Sequence, residues 1–152
     1  MTQPATAPGS GIGELRPAPP GLPEPVLAPP VVAESGDPFA TLRVIDLVAR
    51  LPRGLPIRTS ALVDRLNATH LDWLFSERVV ADTLLQLAAN WAADYRSTDG
   101  IAIEDGPHGP TVRIEDSSRV DPWIVRQAIR ADAACHEALI EFSRRERATG
   151  RD

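Results

Sequence analysis

Ser76–Arg96, reading SERVVADTLLQLAANWAADYR, is the longest uninterrupted helical pattern in the chain. Val80, Leu84, Leu87, Trp91 and Tyr95 recur at steps of three or four, which places them on one face of a helix. Ala81, Leu85, Ala88 and Ala92 widen that face, and Arg78, Asp82, Gln86 and Asn90 form a polar stripe opposite it. Ser76 stands at the N-cap position, and Glu77 in the first turn suits the positive end of the helix dipole. Ser97-Thr-Asp-Gly100 breaks the helix.

On the C-terminal side, Ile101–Asp105 and Thr111–Glu115 both alternate with period two around Gly-Pro-His-Gly-Pro110, a hairpin signal. Pairing Ile103 with Val112 also pairs Ile101 with Ile114, so four branched residues share one face and the register is self-consistent. Arg113 then sits diagonal to Glu104 on the outer face. Asp121-Pro122-Trp123 reads as a helix start, and the helix is expected to run to about Arg147. Its seam carries Ile124, Ala128, Ala131, Cys135, Ala138 and Phe142, with Val125, Leu139 and Ile140 beside it.

On the N-terminal side, Asp37-Pro38-Phe39 signals the first helix, with Asp as N-cap and Pro at the first helical position. Its broad apolar face comprises Leu42, Val44, Ile45, Leu47, Val48 and Leu51; its narrow polar stripe is Arg43, Asp46 and Arg50. An extended piece around Ile57 leads into a second helix capped by Thr59 or Ser60, with Leu62, Val63 and Leu66 inward and Asn67 as a left-handed terminator. Ala68–Phe75 is either an extra turn capped by Thr69 or a packed loop. Ten of the 15 prolines fall by Pro38, so residues 1–36 read as a disordered Pro/Ala-rich tail of polyproline character. Within it, Pro25–Val32 is apolar enough to serve a partner as an extended peptide. The organisation expected is tail 1–36, domain 37–118, C-terminal helix 119–147 and frayed terminus 148–152.

The chain of 152 residues has room for one domain and some surplus. All 16 basic residues are Arg, which a high-GC, bacterial-like genome explains most simply. The formal net charge of −5 disfavours bulk attraction to nucleic acid or anionic lipid. One cysteine forms no intrachain disulfide and fits a reducing compartment, so a cytoplasmic location is expected. The first residues lack the pattern of a secretory signal, and no run approaches the roughly 18 apolar residues of a membrane span.

Helix, short strand, helix, long helix and two-stranded wing, over about residues 37–116, resembles the winged helix-turn-helix superfamily. A mainly α architecture with a small β-hairpin follows from the pattern. What the resemblance implies is a third helix laid in the major groove of DNA, with Arg78, Asp82, Gln86 and Asn90 toward the bases. Arg58, Thr59, Ser60, Arg113 and His108 at the wing tip would then meet phosphates. The charge balance opposes this: Ser76–Asp94 holds three acidic residues against Arg78, and the wing holds four against Arg113. Counterion release supplies most non-specific affinity and needs basic groups near phosphates. A basic surface built from Arg43, Arg50, Arg53 and Arg58 would favour DNA. The expectation is therefore a non-enzymatic module that binds protein as an adaptor or assembly subunit, with a DNA-binding transcriptional regulator as the alternative.

Catalytic and metal chemistry is poorly represented. His70, His108 and His136 are far apart, and Cys135 and His136 diverge by about 100° on a helix. Asp99, Glu115 and Asp116 are the one acidic set able to meet, at the hairpin base, where a solvated edge is the plainer reading. No phosphate-binding Gly-rich loop or serine-nucleophile turn is present, and no cofactor is expected. The small residues Ala128, Ala131 and Cys135, with Phe142, suit close packing either across the first helix or in a homodimer seam.

Overall fold

A computed structural model describes residues 28–149 of the chain. Among the described residues four helices carry the fold: α1 Pro38–Ala49, α2 Thr59–Thr69, α3 Glu77–Tyr95 and α4 Val120–Ala148. Five strands accompany them: β1 Val31–Val32, β2 Ile57–Arg58, β3 Trp73–Leu74, β4 Ile101–Gly106 and β5 Gly109–Ile114. The strands form an antiparallel sheet in the order β2-β5-β4 and a parallel two-stranded ribbon of β1 with β3.

The long helical pattern is α3, capped by the Ser76 hydroxyl, which accepts from the Val79 N–H at 3.3 Å. Its buried face is Val79, Val80, Thr83, Leu84, Leu87 and Trp91, and Leu85 falls outside it at 54% exposure. The apolar face is thus rotated toward Val79 and Thr83 relative to the expected one. The hairpin register is the expected one, Ile103 opposite Val112 and Ile101 opposite Ile114, with Pro107 and His108 forming the turn. Ile101, Val112 and Ile114 are buried, so the shared face of the hairpin closes one side of the core. Arg113 reaches Glu104 at 3.4 Å across the diagonal and also pairs with Glu115.

The start of α1 follows its sequence signal: Asp37 Oδ1 accepts from the Phe39 N–H at 3.2 Å, with Pro38 in the first turn. Val44, Ile45 and Val48 on α1 and Leu62 and Leu66 on α2 meet the buried face of α3 in one core. Helix α1 packs along the first half of α4 in the antiparallel sense. Arg53, beyond the end of α1, pairs with Asp121 at 2.5 Å, while Asp37 and Arg43 at the other end lie near Cys135. At about 1.5 Å per residue, α4 with 29 residues is more than twice as long as α1 with 12, so its C-terminal part overhangs.

Several local expectations are corrected. Val31–Val32, inside the stretch read as tail, pairs with β3, and Ala33 is buried; residues 1–27 of that tail lie outside the described residues. Part of the apolar peptide expected to serve a partner is thus taken up by this domain itself. Helix α2 is capped by Arg58 without a side-chain hydrogen bond, because Thr59 lies inside the first turn and is buried. Asn67 does not end α2; its amide donates to Phe75 O at 3.1 Å and accepts from Phe75 N–H at 2.7 Å, pinning the Ala68–Phe75 loop. That segment holds β3 and buries Phe75, but Leu71 and Leu74 stay exposed, so it is neither an extra helical turn nor packed throughout. Helix α4 begins at Val120 rather than at Pro122 of the Asp-Pro signal, since Val120 is buried and draws the turn two residues earlier. It continues through Ala148, one residue into the stretch expected to fray, and residues 150–152 lie outside the described residues.

Trp91 fixes how α3, the hairpin and α4 meet. Its ring stands edge-on to Trp123 at 5.3 Å and beside Tyr95 at 4.2 Å. A Cβ on Gly100 would lie 2.1 Å from Trp91 Cε2, so only glycine fits where the chain leaves α3 for β4. We expect Gly100→Ala to destabilise by about 1–3 kcal/mol through overpacking. Gly54→Ala, at φ +77° with open space around it, should cost only about 1 kcal/mol of backbone strain. Urea midpoints at unchanged m-value measure both.

Candidate functional site

The polar stripe of α3 does not form one free surface. Arg78 and Asp82, at its N-terminal end, approach each other at 3.9 Å, and Asp82 also accepts from the Ser35 hydroxyl at 2.7 Å. Gln86 donates to Asn90 Oδ1 at 2.9 Å, and Asn90 Nδ2 donates to Gln127 Oε1 of α4 at 3.3 Å. The stripe is therefore one wall of a cleft, completed by α1, α4 and the Ser35–Gly36 segment. Elsewhere on the solvent side of α3 the exposed residues are Glu77, Leu85, Ala89, Ala93 and Asp94.

The cleft has a volume of about 550 Å³. Ile45, Leu87 and Ala131 supply apolar lining, and Asp82, Gln86, Asn90, Gln127 and Arg130 supply polar groups. Gln127 is 4% exposed, and its Nε2 is buried without a hydrogen-bond partner among the described residues. An unpaired buried amide is costly, which makes Gln127 the end of a relay that starts at the exposed Gln86. The lining residues include no His, Cys or Lys. Asp82, Arg130 and the amides equip the cleft to hold a polar group by hydrogen bonds, without a nucleophile–base pair. Gln127, Ser35 and Arg130 were not singled out from sequence. The signal for Gln127 was present: it lies four residues after Trp123 and four before Ala131, a polar residue at a core position of the α4 seam.

Of the residues that the DNA reading places at phosphates, Arg58 and His108 are exposed, Ser60 is half-buried and Thr59 is only 2% exposed. Thr59 is thus removed from any surface, and Arg113 is occupied by Glu104 and Glu115. The basic surface of four arginines is also broken up. Arg43 stacks over Trp73 at 4.7 Å and donates to Phe39 O, so it does not lie in an open polar stripe. Arg53 pairs with Asp121 and donates to Val48 O and Leu51 O. Arg50 and Arg58 remain exposed without an ionic partner among the described residues.

The expected dimer seam is largely filled within the chain. Ala131 and Cys135 are buried, Ala128 packs against the core, and Phe142, farther along, is 61% exposed. Small residues there serve the close approach of α1. Cys135 and His136 face apart, one buried and one exposed. The Ser97 side chain, and to a lesser degree Trp91 Nε1 at 3.4 Å, hold the Asp99 carboxyl below the usual carboxylate value. Among the described residues no three His, Cys, Asp or Glu groups converge in a way that would hold a metal, Asp99, Glu115 and Asp116 included.

Burial pushes the Cys135 thiol up, and the Asp132 and Asp37 carboxylates add to the effect. The thiolate is the reactive form. Ellman's reagent at pH 8 should therefore modify Cys135 at least about tenfold more slowly in the native protein than in urea. Gln127→Met removes an unpaired buried donor at the loss of one long hydrogen bond, so stability should change by less than about 1 kcal/mol in urea denaturation.

Comparison of the chain with known protein families, with curated proteins and with solved structures gave no match.

Proposed function

We propose that this protein is a non-enzymatic winged-helix module that binds another protein, as an adaptor or assembly subunit. Support for the winged-helix reading comes from the element order α1, β2, α2, α3, β4, β5 and from the sheet order β2-β5-β4, in which the short strand before α2 joins the wing. The observation that carries the protein-binding reading is the chemistry of α3 toward solvent. Where a groove-reading helix needs several free donors, this one offers Leu85, Ala89 and Ala93 beside the acidic Glu77 and Asp94, a single arginine 3.9 Å from Asp82, and two amides bonded to each other and, through Asn90, to α4.

A second feature agrees. Val31, Val32, Leu71 and Leu74 are 50–82% exposed and lie on or beside the β1–β3 ribbon. Val32 is paired with Leu74 there, and exposed apolar side chains brought together in this way suit a protein contact. The two-stranded ribbon also leaves backbone groups open to a further strand. The cleft between α1, α3 and α4 would take a polar side chain of the partner, met by the exposed Asp82, Gln86 and Arg130 of its lining.

DNA binding is the competing outcome, and it has a sharp signature. Titrated against mixed genomic fragments at low salt, the protein should bind no tighter than the weak end of non-specific association, about 10⁻⁴ M. Tight, salt-sensitive binding that Arg58→Ala abolishes would replace the adaptor reading with that of a transcriptional regulator.

A further inference from the structure

Helix α4 carries a second apolar stripe on the side away from α1. Val125, Ile129, Leu139 and Ile140 are 52–62% exposed there. Between them lie Asp132 and His136, whose side chains are 60% and 72% exposed and approach each other at 3.5 Å along the helix. The positions 125, 129, 132, 136, 139 and 143 alternate steps of four and three, which is the seam spacing of a coiled coil.

We infer that this stripe is the interface of a homodimer in which two α4 helices pack antiparallel. The sequence argues for a second copy because the stripe is its own complement when reversed. Ile129 and Leu139, and Asp132 and His136, are each symmetric about position 134, while the outer pair sets Val125 against Ser143. A two-fold axis there sets Ile129 against the partner's Leu139 at both ends of the central layer. It also sets Asp132 against the partner's His136, so carboxylate meets imidazole twice and like groups are kept apart. A parallel pair would instead oppose Asp132 to Asp132. Trp123, Ile124, Gln127, Ala131 and Cys135 are the buried residues of α4, so the stripe stays at the surface of the domain. This interface is separate from the α3 surface and the β1–β3 ribbon of the proposed function, so either can fail without the other.

Sedimentation equilibrium of the full chain should show a concentration-dependent dimer. Ile129→Glu should weaken it at least about 100-fold, because two apolar contacts are lost per dimer. Circular dichroism should be unchanged, since Ile129 is exposed in the monomer. Orientation is read with Ile129→Cys and Leu139→Cys chains on a Cys135→Ser background, mixed and treated with a short bismaleimide. The antiparallel register gives the mixed 129–139 cross-link, whereas a parallel pair gives 129–129 and 139–139. A monomer at all concentrations, a dimer indifferent to Ile129→Glu, or homotypic cross-links alone would each overturn the inference.

Discussion

Everything else in the domain depends on where Trp91 sits. It is the largest fully buried side chain together with Trp123, and the two rings meet at 86° and 5.3 Å. Edge-to-face contact of this kind adds about 0.5–1.5 kcal/mol beyond area burial. Trp91 belongs to α3, Trp123 to α4, and Gly100 beneath the Trp91 ring directly precedes β4, so one cluster fixes three elements. The polar edges are satisfied as well: Trp123 Nε1 donates to Asp94 at 2.8 Å, and Arg119 lies over Tyr95 at 4.7 Å. Asp94 and Arg119 are thereby committed to the join between α3 and α4.

The same economy governs the remaining charges. Arg43, Arg53 and Arg113 are each held by a ring, a carboxylate or backbone carbonyls of the domain. A guanidinium already paired and partly desolvated releases few counterions on meeting phosphate, so its count in the sequence overstates what a nucleic acid would feel. Surface pairs of this kind contribute little stability on their own. Their consequence here is chiefly for recognition, since they leave fewer guanidinium groups free for an incoming phosphate.

Much of the fold was legible because periodicity spoke plainly. The hairpin register follows from four branched residues at period two, and the α3 face follows from Val80, Leu84, Leu87 and Trp91 at helical spacing. Asp37 is readable as a cap because an Asp directly before Pro38 marks a helix start, and its carboxylate does accept from the Phe39 N–H. The same Asp-Pro signal misplaced α4, where burial of Val120 outweighs the cap. Strands β1 and β3 were invisible because two residues carry no period, and proline content hid Val31–Val32. The candidate site was half legible. Asp82, Gln86 and Asn90 were picked out as a stripe, but sequence could not tell that α4 and Ser35 return to cover it. Only the buried amide of Gln127, set in an otherwise apolar seam, pointed there.

The length mismatch between α1 and α4 explains why α4 has two kinds of surface. Over the stretch that α1 covers, Ala128, Ala131 and Cys135 let the backbones approach, and the opposite side stays open. Beyond Ala138 every described residue except Glu146 is exposed, yet the pattern remains amphipathic through Leu139, Ile140 and Phe142. A helix end that served only to cap a domain would need no such pattern, because an overhang solvated all round is better served by polar residues. Apolar side chains kept where the described part of the domain does not bury them are a cost to that part alone, and exposed surface of this kind is what a further contact would bury.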